Sequence, residues 1–263
     1  MNQSGEESGA VGAASSHHSS VMCIICVPKP RAGLQQWPWS VTAAALVLIH
    51  FPVLIQLMEP ICMSIFLIRH GETPLNATRT IQFPHTPLSE RGQAQASAVA
   101  ERLSTAALGA ILTSDYQRAY STAEAIKQLN GAPLSVLESL RERHFGDLRG
   151  KSFAELGIDP FAPGFAPPAG ETEAMFNARV AVAWDEVLMH ASQVEGDLAV
   201  VTHGLVLRSL AQHVLTLAEH VDYAAAGFAN TCLTQAEGPP WQIELLACDL
   251  HLSAELKVAG GKA

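Results

Sequence analysis

Between residues 64 and 252, short apolar runs rich in branched side chains alternate with longer stretches in which apolar residues recur every three to four positions. That alternation specifies an α/β layered fold on a mostly parallel sheet. Strands are predicted over 65–68, 108–113, 134–137 and 198–201; two more, 228–235 and 241–248, close the chain as a hairpin turned through Glu237-Gly238-Pro239-Pro240. Helices are predicted over 89–104, 116–129, 172–192 and 204–215. Ala96, Val99, Ala100 and Leu103 are the inner positions of the first, and Phe176, Val180, Ala183, Val187 and Met189 those of the third. Residues 145–168 are rich in Gly, Pro and Phe without a sustained period, so they read as an excursion over the sheet end, where such segments shape substrate pockets.

The pattern starts at Met63, and the 62 residues before it read differently. Residues 1–31 are rich in Ser, Gly and Ala, too poor in periodic apolar side chains to form a core, and are expected to be disordered. Residues 41–58 are apolar except for Thr42, His50 and Gln56, at the lower length limit of a membrane span. They are expected to be either a signal anchor or part of an over-extended reading frame ahead of a natural start at Met63. The expected organisation is therefore an extension over 1–62 and one domain over 63–263, with membrane association only through 41–58. Cys23-x-x-Cys26 lacks a second pair at zinc-site spacing, and Cys232 and Cys248 read as buried thiols, which favours the cytoplasm. The chain carries a net charge of −9, and from residue 63 onward it has 14 basic and 22 acidic side chains. Such a surface repels nucleic acid, so no nucleic-acid partner is expected, and a phosphate-bearing ligand must be held by a local cluster of positive charge. The sequence assigns no oligomeric state.

Two strands supply that cluster. The first ends on Arg69-His70-Gly71 and the fourth on Thr202-His203-Gly204. Ligands in open α/β sheets gather at the carboxyl ends of strands, and Gly204 opens a helix whose N-terminus favours an anion. Ser114-Asp115-x-x-Arg118 follows the second strand, with Arg118 in the first helical turn; that position opposes the helix dipole unless the guanidinium turns into the pocket. Glu142, after the third strand, is the carboxyl group of an otherwise cationic site, and His144 stands two positions beyond it as a further candidate. Glu171 is expected to support the start of its helix, and Arg179 to lie on a helix surface. Arg141, Arg143, Arg149 and Lys151 form a basic run read as a solvated face bordering the excursion, where it could meet an acidic substrate.

These residues together resemble the histidine phosphatase superfamily, also called phosphoglycerate-mutase-like. The resemblance runs from about 64 to 252 and rests on the Arg69-His70-Gly71 triplet together with Asn76, Pro87-Leu88-Ser89-x-x-Gly92-x-x-Gln95-Ala96, Ser114-Asp115-x-x-Arg118-Ala119-x-x-Thr122-Ala123, Glu142, Gly170-Glu171-Thr172 and His203-Gly204, in family order. It implies a three-layer α/β/α sandwich with a mixed sheet of about six strands, no metal and no cofactor. It also implies that His70 is the nucleophile, that Arg69, Arg118 and His203 clamp the phosphate, and that Thr73, Asn76 and Gln82 contact phosphate or substrate.

The residue types suit phosphoryl transfer, which needs in-line attack and compensation of charge on the equatorial oxygens. Planar guanidinium forks match phosphate, a neutral imidazole exposes one nitrogen for attack, and Glu142 is suited to protonate the leaving alkoxide. Family mutases carry Gly-Trp soon after the Asn, where this chain has Phe83-Pro84, and a Lys beyond the Glu segment, where an ungapped count gives Phe153. The excursion also lacks their Arg pair. The sequence therefore favours a metal-independent phosphatase on a small phosphorylated metabolite. A phosphoglycerate-type mutase, and a catalytically silent phosphate-binding or regulatory module on this fold, are the alternatives.

Overall fold

The structure, a computed structural model, describes residues 63–257. The apolar stretch 41–58 and the Cys23/Cys26 pair lie outside the described residues. Among the described residues, no helix is long and apolar enough to cross a membrane.

Strands β1 (Met63–Arg69), β2 (Leu108–Thr113), β3 (Leu134–Val136), β4 (Asp197–Thr202), β5 (Thr216–Leu217), β6 (Leu233–Gly238) and β7 (Gln242–Cys248) form one sheet in the order β3-β2-β4-β1-β6-β7-β5. All pair in parallel except β6, which runs antiparallel to both β1 and β7. The sheet thus has seven strands where about six are expected. The seventh, β5, is two residues long and adjoins Gln242 and Ile243, too short to show a period in sequence.

Side chains alternate across a strand, and here both faces are covered. Ile65, Leu67, Leu112, Leu198 and Val200 point into one core, and Ile68, Ile111, Ala199 and Val201 into the other. Helices α2 (Glu90–Leu103) and α3 (Gln117–Asn130) close the second core with Val99, Ala100, Leu103, Ala119, Ala123 and Ile126. Helices α5 (Glu173–Ala191) and α6 (Gly204–Ser209) close the first, so the architecture has three layers. Two four-residue helices, α1 (Pro74–Ala77) and α4 (Phe153–Leu156), lie in the connections.

Four local readings change. Met189 is 57% exposed. Two residues beyond Val187 it has rotated to the opposite side of α5, and Trp184 and Ala191 take the inner positions instead. The helix from Gly204 holds its α form only to Ser209 and then widens, with Leu215 N–H donating to Leu210 O at 2.8 Å. The strand expected from 228 begins at Leu233, because Phe228 and Thr231 adopt φ of 45° and 56° and turn the chain back toward β1. Glu171 does not cap α5: the cap is Thr172, whose hydroxyl accepts from Met175 N at 3.2 Å, while the Glu171 carboxylate accepts from His144 N and Arg179. The excursion does fold over the strand ends, where Ile81, Phe145 and Leu148 gather Phe153, Phe161 and Leu205 into a small separate apolar cluster.

Candidate active site

Arg69, His70, Arg118 and Glu142 meet at the carboxyl edge of the sheet in a cavity of about 210 Å³ whose outer wall is the excursion. His70 stands just past β1, its N–H donating to Thr202 O at 2.9 Å, so the ends of β1 and β4 are stitched together. The turn that follows has no room for a side chain: a Cβ on Gly71 would lie 2.5 Å from Gly92 O, and one on Gly92 2.0 Å from Glu72 O. The motif residues around it hold its backbone. Thr122 Oγ1 accepts from Gly71 N at 3.0 Å, Gln95 Oε1 accepts from Glu72 N at 2.8 Å, and Ser89 caps α2 while donating to the Glu72 carboxylate at 2.8 Å.

The His70 ring lies 2.7 Å from Gly71 O through Nδ1, and a carbonyl can only accept, so Nδ1 carries the proton. Nε2 is left with its lone pair toward Arg118, whose Nε donates to it at 3.2 Å. Burial, reinforced by Arg118 and Arg69, holds the imidazole pKa well below its ordinary value, so the ring is neutral at pH 7. His203 packs edge-on to it at 5.1 Å between ring centroids and is likewise kept neutral by burial and then by Arg118. Its Nε2 is 3.0 Å from Ser114 Oγ; its Nδ1, like Arg69 Nε, is buried with no hydrogen-bond partner among the described residues.

Arg69 donates to Phe228 O at 2.5 Å and Arg118 to Phe83 O at 3.0 Å. Among the described residues neither meets a carboxylate in a salt bridge, and burial lowers the pKa of Arg118 to about 10, still charged at neutral pH. Glu142 accepts from Arg143 N at 2.9 Å and from Leu205 N, in the first turn of α6, at 3.2 Å. Burial raises its pKa, and those two N–H groups with Arg118 and Arg69 offset only part of the rise. The site thus holds two cationic guanidiniums, two neutral imidazoles and a carboxyl group that burial makes less acidic than an ordinary glutamate, an arrangement whose fixed positive charge suits a phosphate dianion. Among the described residues, no three His, Cys, Asp or Glu side chains cluster closely enough to hold a metal ion.

The other predicted contacts divide. Asn76 and Gln82 line the cavity. Thr73 is fully buried behind them: it caps α1 and donates its hydroxyl to Gln82 Oε1 at 2.9 Å, setting that side chain rather than facing the cavity. Gly204 is buried at the start of α6 and does not line the cavity, and the helix N–H that reaches the Glu142 carboxylate belongs to Leu205. His144 turns into a neighbouring groove with Glu171, its Nδ1 accepting from Gly146 N at 3.1 Å. Of the basic run, Arg143 and Arg149 line the cavity, whereas Arg141 pairs with Asp115 and Glu138. Arg179 is no mere surface residue. It grips Glu171 through Nε at 2.8 Å and, through one terminal nitrogen, the carbonyls of Ser139 and Arg141 at 2.8 and 2.9 Å, clamping the segment that carries Glu142.

Tyr116, Arg79 and Asn230 line the cavity without having been singled out in sequence. Asn230 donates to His70 O at 3.0 Å from the turn before β6, and an Asn in an irregular turn carries no periodic signal. Tyr116 precedes α3 without capping it, its ring 5.1 Å from the Arg118 guanidinium.

Residues 65–249 match the family model of the histidine phosphatase superfamily, branch 1. The chain belongs to this superfamily. Among histidine phosphatases, the glucosyl-3-phosphoglycerate phosphatase of Mycobacterium tuberculosis is 31% identical over 189 residues, covering 65% of this chain and 84% of that protein. The phosphoglycerate mutase-like protein 4 of Arabidopsis thaliana is 32% identical over 208 residues, covering 72% and 86%. The native structure of the mycobacterial glucosyl-3-phosphoglycerate phosphatase superposes with a TM-score of 0.61 at 26% identity, covering 72% of this chain and all of that one. The chain's histidine phosphatase relatives thus include both phosphatases and phosphoglycerate mutase-like proteins.

Proposed function

We propose that this histidine phosphatase hydrolyses small phosphate monoesters without a metal, through a phosphohistidine on His70. The observation that carries the reading is the locked tautomer: Nδ1–H is fixed on Gly71 O at 2.7 Å, and Nε2 presents its lone pair to the buried Arg118 guanidinium at 3.2 Å. Arg69 and Arg118 draw the phosphate dianion over Nε2, displacing the Arg118 contact and freeing the lone pair for in-line attack. A P–N bond forms as the ester P–O bond breaks, and protonated Glu142 gives its proton to the leaving oxygen. Glu142, now ionised, takes a proton from water as that water attacks phosphorus; the P–N bond breaks, inorganic phosphate leaves, and both groups return to their starting states.

Phe153 at the cavity wall, in place of the lysine expected of a mutase, supports hydrolysis over retention of the phosphoenzyme. The test is phosphate release in excess EDTA by the wild type and by His70→Ala. Turnover that survives EDTA and is lost with the histidine is expected; full activity in His70→Ala sinks the mechanism, and activity restored only by added metal sinks the metal independence.

A further inference from the structure

The cavity continues beyond the phosphate position, and its outer half has a distinct chemistry. Phe145, Phe153 and Phe161 form an edge-to-face wall, with ring centroids 5.8 and 5.3 Å apart. Three more guanidiniums border it. Arg79 is exposed, with φ 51°, and lies 5.3 Å over the Phe153 ring; Arg149 donates to Tyr116 Oη at 3.1 Å; Arg143 is buried and held by the carbonyls of Glu171 and Phe165. Among the described residues, none of the three has a salt bridge to a carboxylate. With Arg69 and Arg118, five guanidiniums, none of them in a salt bridge among the described residues, line one cavity of a chain whose net charge is −9. Two suffice for a phosphate dianion; of the outer three, Arg143 feels the carboxylates of Glu173, Glu171 and Glu142 without an ion pair, which leaves Arg79 and Arg149 as the guanidiniums placed to pair with a ligand.

The body between the two charged ends is constrained as well. The acidic groups at the cavity are Glu142, assigned to proton transfer, and Glu72, whose carboxylate is occupied by Ser89 and Arg91. No carboxylate remains there to accept from sugar hydroxyls, whereas aromatic edges and a stacked guanidinium suit a flat apolar group. At about 210 Å³ the space lies below the roughly 300–1,000 Å³ of sites for drug-sized ligands.

Resting on the phosphatase reading, we infer that the preferred substrate is the phosphate monoester of a small aryl-type alcohol carrying a second anionic group, carboxylate or phosphate, that Arg79 and Arg149 receive. The test compares kcat/KM of the full chain on 4-carboxyphenyl phosphate, 1,4-phenylene bisphosphate and the neutral isostere 4-carbamoylphenyl phosphate, with glucose 6-phosphate and 3-phosphoglycerate as non-aromatic references. The carboxamide is the better leaving group of the matched pair, so any advantage of the carboxylate comes from binding. At least one doubly anionic aryl ester is expected to exceed the carboxamide by about tenfold at low salt, and that ratio to fall toward one in Arg79→Gln, in Arg149→Gln and at high ionic strength. Equal rates on the carboxylate, bisphosphate and carboxamide, or a ratio insensitive to both arginines, overturn the second-anion subsite while leaving the phosphatase intact. A non-aromatic reference that outruns every aryl ester overturns the aryl assignment. Hydrolysis of none of the five removes the phosphatase reading and this one with it.

Discussion

At the scale of single residues, burial sets the protonation states on which the proposed chemistry depends. Glu142 is shifted up by desolvation, and His70 down by desolvation and two cations, so each shift favours the form its proposed role needs, a protonated acid and a neutral nucleophile. Glu142→Gln is expected to slow turnover of alkyl phosphates by about 10²–10⁴, because an unassisted alkoxide is a poor leaving group. It should still form phosphoenzyme from p-nitrophenyl phosphate, whose leaving group needs no proton; rapid-quench trapping of the labelled protein reads this directly. The alkaline limb of the kcat/KM profile should report loss of the Glu142 proton and vanish in the same variant. Activity should also persist below pH 6.5, where an ordinary histidine nucleophile would already be protonated. A profile in which the acid limb follows an unperturbed imidazole would contradict the burial argument.

At the scale of elements, the segment from Glu138 to Arg143 has only a single 3-10 turn, Glu138–Leu140, of its own and is held by its neighbours. Thr202 Oγ1, at the end of β4, donates to Leu140 O at 2.7 Å, and Arg179 in α5 ties the carbonyls on either side of that residue to Glu171. Arg179→Gln removes a charge-assisted fork and is expected to cost about 1–3 kcal/mol of stability by chemical denaturation. Because the clamp sets where Glu142 stands, kcat on alkyl esters should fall by about tenfold with KM little changed, and the alkaline limb should shift. A purely structural residue would lower stability and leave the limb where it was. The contact between α2 and the turn after β1 is equally tight. Gly92→Ala would drive a methyl group into Glu72 O, and overpacking of that kind costs about 1–3 kcal/mol or more, seen as a lowered unfolding midpoint.

At the scale of the whole molecule, an acidic protein gathers at one cavity five guanidiniums that form no salt bridge among the described residues, and like charges brought together there repel one another until an anion binds. Inorganic phosphate or vanadate is therefore expected to raise Tm, with about 2.7 kcal/mol available at a hundred times Kd, and less at high salt. Buried His70 and His203 resist protonation, so the unfolded chain binds more protons than the native one between their depressed pKa values and about 6.5. Their contribution is complete above pH 6.5 and is lost on acidification, by at most about 1.4 kcal/mol per pH unit for each ring. Glu142, shifted upward, contributes with the opposite sign and offsets part of that loss. Denaturant titrations at pH 7 and pH 5.5 should show the wild type less stable at the lower pH and a shallower dependence in His70→Asn. The layered fold, its main helices and the pairing of Arg69-His70 with His203 were legible in the sequence, because strand and helix periods and the residue types at strand ends are local signals. So was Glu142, by motif. Local signals could not place the charged clamp at Arg179, the turn that delivers Asn230, or the separation of His144 from the cavity. Each depends on which distant backbone atoms the chain brings within about 3 Å, a hydrogen-bonding distance that only the packed structure sets.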